Sequence, residues 1–221
     1  MHMADALVSP PVATGMAVAS LAVGAYSIFR IKKENKPENI PVMGVMGAFV
    51  FATQMVNFTI PGTGSSGHLC GGLLLSALIG PYGGFLSMMA ILLLQCLLFA
   101  DGGLMAYGCN VWNMAFYACF FGYFCIYKPI LSKNPSKKKI LIASILGSVL
   151  SLQLGAFSVT LETLISGVTE LPFLTFLSFM QPIHLAIGFV EGLITSAVLI
   201  FVYNTRPEML NINEKSNEFS F

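Results

Sequence analysis

Charged residues are scarce in this chain. Only 10% of its 221 residues are Asp, Glu, Lys or Arg, whereas 56% are hydrophobic. Soluble domains carry about a quarter charged residues, so a soluble globular fold is excluded. The composition instead predicts an all-α, polytopic membrane protein with about seven transmembrane helices.

Several functional signatures are also missing. The sequence has no GxxxxGKS or GxxxxGKT phosphate-binding loop and no basic surface suited to nucleic acid. Its start has neither a basic segment nor a small-residue cleavage site, so we expect no cleavable leader. Five cysteines without paired spacing predict small buried apolar residues and no disulfide or metal cluster: Cys70, Cys96, Cys109, Cys119 and Cys125. Energy for any transport must therefore come from a partner or an ion gradient.

Seven apolar stretches are candidate membrane spans: 9–29, 41–59, 69–79, 82–100, 104–127, 139–161 and 173–204. Most approach the roughly 20 residues that cross a bilayer. The third is short, and Ser65, Ser66 and Gly67 could extend it upstream; Gly80-Pro81 separates it from the fourth. We expect residues 1–205 to form a single helical bundle and 206–221 a polar cytoplasmic tail.

The positions of the cations test this topology. All eleven lie in three groups: Arg30, Lys32, Lys33 and Lys36; Lys128, Lys133, Lys137, Lys138 and Lys139; and Arg206 and Lys215. With seven crossings and the N-terminus outside, every group is cytoplasmic, as the positive-inside rule requires. A re-entrant third stretch would separate the first two groups, so we count it as a full crossing.

The chain begins Met1-His2-Met3, which makes its start a potential chelator. The Met1 amine, the His2 amide nitrogen and the His2 imidazole Nδ1 can bind one ion in a plane and leave one corner open. Such nitrogen sets suit nickel or copper better than zinc. The bulky second residue disfavours removal of Met1. The alternative is that His2 is an incidental residue of a frayed terminus.

A glycine-rich loop, 60–68, ends in His68 on the same side of the membrane as His2. We expect Ser65 or Ser66 to cap the following helix and His68 to lie near its first turn. His68 is the candidate for the open corner, because neutral imidazole is a common metal ligand. The alternative is a loop histidine hydrogen-bonded to a neighbouring carbonyl.

Four amides lie at the depth of the expected chelate: Gln54, Asn57, Asn110 and Asn113. Groups of this kind orient the imidazoles of a metal site, although they can equally form hydrogen bonds between helices. Small residues on the first span (Ala13, Ala17, Ala22 and Gly24) admit close approach of another helix, within the chain or from a partner.

His184 and Glu191 lie seven residues apart on one face of the last span. Ionisable residues at membrane depth usually face the bundle interior and have partners. One interpretation is a proton relay in a secondary transporter. The other, which we favour because no further intramembrane charge continues a relay, is a structural role inside the bundle.

Four segments together resemble one family: Met1-His2-Met3, the Gly64–Leu69 turn, the stretch from Gly103 to Met114, and the stretch from His184 to Thr195. They resemble the membrane-embedded substrate-capture subunits of cobalt and nickel uptake transporters of the energy-coupling-factor type, the CbiM/NikM family. The resemblance covers nearly the whole chain.

The resemblance implies a seven-helix bundle in the plasma membrane of a prokaryote, with the N-terminus in the extracellular mouth. It implies Ni²⁺ or Co²⁺ as the transported substrate, held by the Met1 amine, the His2 amide and imidazole nitrogens, and His68. From their positions in the sequence, we further expect Asn57, Asn110, Asn113, His184 and Glu191 to lie around these ligands. It also implies partners: a transmembrane coupling protein, cytoplasmic ATPases of the ABC type, and a small accessory membrane subunit in many systems.

Nickel is favoured over cobalt because a four-nitrogen plane suits low-spin Ni²⁺. The runner-up function is a proton-coupled secondary metal transporter that uses His184 and Glu191. A metal-dependent enzyme is disfavoured, because a filled plane lacks the open position that catalytic sites keep for water.

Overall fold

The structure, a computed structural model, describes residues 1–34, 39–132, 134–169 and 171–211. Its helices, in chain order, are α1 (Pro10–Glu34), α2 (Asn39–Gln54), α3 (Gly72–Phe99), α4 (Tyr107–Leu131), α5 (Lys137–Ser166) and α6 (Phe173–Thr205). All but α2 are long and apolar enough to cross a membrane. The predicted helical membrane protein is confirmed at this level, and the number of crossings remains a prediction. The middle of α4, Val111–Tyr127, has π-helical hydrogen bonding.

Helix α3 contains both the third and the fourth predicted span. It is broken at Gly80, whose φ of 81° and ψ of 159° are not helical, a conformation that glycine tolerates best. A Cβ atom on Gly84 would lie 3.0 Å from the backbone nitrogen of Ser76. In a straight helix these residues would be about 12 Å apart. The chain therefore folds back at Gly80, and the legs 72–79 and 81–99 pack against each other.

A small hairpin precedes α3. Its strands, β1 (Phe58–Ile60) and β2 (Ser65–Gly67), are antiparallel, and Met3 forms an isolated bridge to Ser65. The expectation that Ser65 or Ser66 caps the next helix, or lengthens the third span, is therefore wrong. The backbone of these residues is committed to strand pairing, and α3 begins only at Gly72.

The described cations gather at one end of the bundle. Arg30, near the end of α1, donates a hydrogen bond of 3.0 Å to Tyr82, two residues after the break in α3. Tyr203, near the end of α6, donates to the carbonyl of Pro135 between α4 and α5. The chain start lies at the opposite end, where α1 begins. The predicted positions of Lys36, Lys133 and Lys215 lie outside the described residues.

The first part of the predicted tail is packed against the bundle. Leu210 is buried, and the amide of Asn211 donates to the carbonyl of Ala77 in the first leg of α3. The hydroxyl of Tyr123 donates to the carbonyl of Asn211. The beginning of the predicted polar tail is therefore held against the bundle at Leu210 and Asn211, where the Asn211 amide pairs with a carbonyl left free by the break at Gly80. Residues 212–221 lie outside the described residues.

Small residues bring the helices close together. Gly188 and Gly192 of α6 pack on the backbone of α5. On α1, Gly24 lies against the Met89 side chain and Ala17 against Gly108. The sequence left open whether the small residues of α1 pack on this chain or on a partner protein. Ala17 and Gly24 pack on helices of the same chain.

The cysteines are free thiols. Cys70, Cys109 and Cys119 are buried, as predicted, and Cys96 is half-buried. Cys125 is exposed, so its predicted burial is wrong; it lies on the outer surface of α4, where lipid contact is compatible with an apolar side chain.

Candidate metal centre

The first three residues are embedded in the protein. Met1, His2 and Met3 are at most 3% exposed. Asn110 holds this segment through two hydrogen bonds. Its Oδ1 accepts a hydrogen bond of 2.7 Å from the amide of Met3, and its Nδ2 donates one of 3.2 Å to the carbonyl of Met3. The amine of Met1 donates to the carbonyl of Ser66. A frayed terminus, the alternative considered for His2, is therefore wrong.

The imidazoles of His2 and His68 are stacked, with ring centroids 4.6 Å apart and planes inclined by 27°. His68 Nδ1 donates to the carbonyl of Leu69 at 2.7 Å. The lone pair therefore lies on Nε2, which is buried and has no hydrogen-bond partner among the described residues. His68 thus bonds to a neighbouring carbonyl and still presents a free nitrogen beside His2.

Burial lowers the pKa of the Met1 amine and of the His2 and His68 imidazoles. Complete burial lowers the pKa of the Met1 amine to about 5, although Cys70 and Asp101 act to raise it. Burial also lowers the pKa of His2, and it lowers that of His68 well below its ordinary value, helped by the nearby amine. At neutral pH the three nitrogens are therefore unprotonated, which is the state that metal ligands require.

Asp101, which sequence reasoning did not select, lies beside His2. Its Oδ1 is 3.2 Å from His2 Nδ1, and its Oδ2 accepts a hydrogen bond of 2.7 Å from Asn57. Burial opposes ionisation, but these contacts bring the pKa of Asp101 below its ordinary value. Asn57 thus acts on His2 through Asp101. The sequence signal that could have identified Asp101 is a carboxylate directly before two glycines, Gly102 and Gly103. In the structure this turn is tightly packed, because a Cβ atom on Gly103 would overlap Asp5.

Gln95 is the second residue that sequence reasoning missed. It lies beside His2, and its presence raises the pKa of that imidazole against the effect of burial. Its buried Oε1 has no hydrogen-bond partner among the described residues. Chelation through His2 Nδ1 requires the remaining imidazole proton on Nε2, and Gln95 offers an acceptor for that proton.

Asn113 does not contact an imidazole. Its Nδ2 donates to Glu162 at 2.7 Å and lies 3.7 Å from the Met3 sulfur. It therefore supports the segment that carries His2. Glu162, which was also missed, lies one residue beyond the predicted sixth span, so its burial was not evident from the sequence.

Glu191 and His184 bond to different backbone groups. The carboxylate of Glu191 accepts the amides of Cys70 and Gly71, the latter at 3.1 Å, and so fixes the turn that follows His68. His184 Nδ1 donates to the carbonyl of Met180 at 2.7 Å. The structure thus assigns Glu191 a supporting contact near the candidate ligands.

Side chains alone do not assemble a metal site here. Across residues 1–34, 39–132, 134–169 and 171–211, no three His, Cys, Asp or Glu side chains are arranged to hold an ion. Burial raises the pKa of the Cys70 thiol well above its ordinary value, so it stays protonated. A site at His2 and His68 would therefore need donors other than these side chains, and the buried Met1 amine is a nitrogen that lies in this region.

Known proteins resemble this chain over nearly its full length. The profile of a family described as "CbiM: Cobalt uptake substrate-specific transmembrane region" matches residues 2–209. The chain belongs to the CbiM family. The predicted resemblance is thereby confirmed, and the chain is a membrane protein of a metal-transport family.

Individual relatives of this CbiM-family chain agree. It is 36% identical over 210 residues to a protein of Archaeoglobus fulgidus named as a fused nickel transport protein, NikMN; the match covers 95% of this chain and 68% of that one. It is 31% identical over 193 residues to the cobalt transport protein CbiM of Sorangium cellulosum, covering 85% and 83%. A crystal structure of a truncated transition metal transporter superposes with a TM-score of 0.83 at 29% identity, covering 92% and 99%.

Proposed function

We propose that this chain is the substrate-specific binding component of an ATP-driven metal uptake transporter of the energy-coupling-factor type, which captures Ni²⁺ or Co²⁺ at the extracellular face. One observation carries the proposal. The Met1 amine is buried and unprotonated, and it lies near the stacked imidazoles of His2 and His68. Relatives named as nickel and cobalt transport proteins support the choice of ion.

The ion binds the Met1 amine, the amide nitrogen and Nδ1 of His2, and Nε2 of His68. The His2 amide is free for this role, since it donates no hydrogen bond within the described part of the chain, whereas the amide of Met3 is held by Asn110. Four nitrogens in a plane favour low-spin Ni²⁺, so nickel is the preferred substrate.

The cation distribution supports an extracellular mouth. The described Lys and Arg residues at the ends of α1, α4 and α6 lie away from His2, and positive residues favour the cytoplasmic side. If each leg of α3 counts as a crossing, the chain crosses the membrane seven times and ends in the cytoplasm. The location is then the plasma membrane of a prokaryotic cell.

Release needs energy that this chain does not supply. A chelate that includes a deprotonated amide binds strongly, and the sequence has no phosphate-binding loop. We assign ATP hydrolysis to cytoplasmic ABC-type partners, linked through a transmembrane coupling protein and a small accessory subunit where one is present. The chain itself is no enzyme, because four in-plane nitrogens leave no position there for an activated water.

The test is a Gly-Ser dipeptide placed before Met1, with the same dipeptide at the C-terminus as control. The extension converts the amine into an amide and so removes one of the proposed nitrogen ligands. High-affinity Ni²⁺ binding, measured by calorimetry on the purified chain, should be lost with the thermal unfolding temperature kept. Unchanged affinity would refute the proposal.

The runner-up, a proton-coupled transporter using His184 and Glu191, makes a different prediction. In liposomes that contain this chain alone, a pH gradient would drive Ni²⁺ uptake, and Glu191→Gln would abolish uptake while binding survived. Our proposal expects no gradient-driven uptake in either case.

A further inference from the structure

A cavity of about 250 Å³ lies next to His2. We call it the vestibule; its polar lining comes from His2, Asp5, Thr59, Ser65, Ser66 and Asp101. Asp5 and Thr59 are exposed, so the vestibule reaches the surface. A water molecule occupies about 30 Å³ in the liquid, so the vestibule has room for an ion with its hydration shell.

One buried residue of the vestibule lining has an unused hydroxyl. Ser65 is 2% exposed, and its Oγ has no hydrogen-bond partner within the described ranges. Buried polar atoms almost always have a partner from protein or solvent. This hydroxyl therefore indicates a polar, hydrated occupant.

Asp101 stands between the surface and the chelating nitrogen. Its carboxylate is 13% exposed, accepts a hydrogen bond from Asn57 and lies 3.2 Å from Nδ1 of His2. The planar chelate needs that same Nδ1. A cation that approaches Asp101 therefore competes with His2 for the carboxylate. The other vestibule carboxylate, Asp5, is engaged by the amide of Ala106 at 3.0 Å.

We propose that the vestibule is a docking site for a hydrated divalent cation, distinct from the chelate. Asp101 attracts the ion, the hydroxyl of Ser65 binds one of its water ligands, and the ion displaces Asp101 from the side of His2. The freed Nδ1 then joins the Met1 amine around the ion. This inference rests on the proposed function. It states that Asp101 increases the rate at which the ion is captured and does not determine the final affinity.

The experiment measures Ni²⁺ association by stopped-flow absorbance on the purified full chain, at 20 to 300 mM KCl, and dissociation with a chelator. Removing a guiding charge lowers association rates by about tenfold or more, and salt screens the effect. Asp101→Asn should therefore associate about tenfold more slowly at low salt and lose most of its salt dependence. Its dissociation rate should change less than about threefold.

Three variants serve as controls. Asp101→Glu keeps the charge and should restore the salt dependence. Asn57→Ala removes the neighbour of Asp101 but keeps the carboxylate, so its salt dependence should stay. Glu208→Gln removes an exposed carboxylate that pairs with Arg206 at the other end of the chain, and should change nothing.

Two results would overturn the inference. One is an Asp101→Asn variant with the wild-type association rate and salt dependence. The other is a variant whose dissociation alone accelerates, which would make Asp101 a support of the loaded chelate. In both cases the Gly-Ser extension still reports on the proposed function, because it changes the proposed amine ligand, leaves Asp101 intact and is read out as equilibrium affinity.

Discussion

Two clusters in this chain contain histidine beside other ionisable groups, and they differ in what surrounds the imidazole nitrogen that the backbone bonds leave free. At the mouth, His68 donates from Nδ1 to a carbonyl and keeps Nε2 next to His2 and the Met1 amine. Inside the bundle, His184 also donates from Nδ1 to a carbonyl and keeps a buried Nε2, but within the described residues no second imidazole is stacked on it. Glu191 accepts the amides of Cys70 and Gly71 with its two oxygens. The mouth cluster therefore offers several nitrogen lone pairs together, whereas the interior cluster offers one nitrogen and a carboxylate that holds the turn after His68.

The largest expected effect comes from His2→Gln, which keeps a bulky second residue and so keeps Met1. A four-donor metal site contributes roughly 10 to 16 kcal/mol, so one donor accounts for about 3 kcal/mol. Loss of a donor together with its fused ring should weaken Ni²⁺ binding by about a thousandfold. His184→Gln, the matched change in the interior cluster, should cost less than about tenfold in the same titration. Equal losses would contradict the comparison.

His68→Ala should rank second. Three donors remain in the plane, so affinity should fall by roughly a hundredfold, about 3 kcal/mol, less than for the Gly-Ser extension. Water is expected to fill the open corner, which shifts the optical spectrum of the nickel complex. A loss greater than that of the extension would mean that His68, and not the chain start, is the principal ligand.

The third prediction concerns pH. Because burial lowers the pKa of the Met1 amine to about 5, the amine is unprotonated from pH 6 to 8. The pKa values of His2 and His68 are also lowered, so the His2 amide alone loses a proton on binding. Affinity should then fall about tenfold for each unit from pH 8 to 6, and more steeply below pH 5. An exposed amine, with a pKa of about 8, would release a second proton near neutral pH.

Calorimetry in buffers of different ionisation enthalpy counts these protons. Release of about one proton per Ni²⁺ at pH 7 agrees with a buried amine. Two released protons would mean that the amine is charged before the ion arrives.

The smallest effect is expected from Glu191→Gln. The amide side chain keeps one acceptor oxygen but turns a donor toward the amide of Cys70 or Gly71, which loosens the turn after His68. Changes in groups that orient metal ligands typically cost 10- to 100-fold, and the lower end, about tenfold, is expected here because Glu191 acts through the backbone. Glu208→Gln is the matched control, with no expected change in Ni²⁺ affinity.

Part of this arrangement was predictable from the sequence because it depends on local or chemical signals. Apolar stretches predicted the helices, Gly80-Pro81 predicted the break inside α3, and the pairing of His2 with His68 followed from the resemblance and the shared side of the membrane. These signals are local in the chain or fixed by the membrane.

Other features depend on contacts between distant residues. The strand Ser65–Gly67 exists because Phe58–Ile60 and Met3 pair with it, and three residues carry too little pattern to predict a strand. Asp101 and Gln95 reach His2 only because α3 folds back and returns to the mouth. Helix direction and side-chain orientation, which decide such contacts, follow from tertiary packing.

The central claim is that the start of the chain binds the ion through its own backbone, and ¹⁵N-histidine labelling tests it most directly. The chain has three histidines, so an amide correlation spectrum contains three signals, from His2, His68 and His184. On addition of one equivalent of Ni²⁺, the account predicts a diamagnetic complex in which the His2 amide signal disappears and the other two remain. A complex that keeps all three amide signals, or that is paramagnetic, would contradict it.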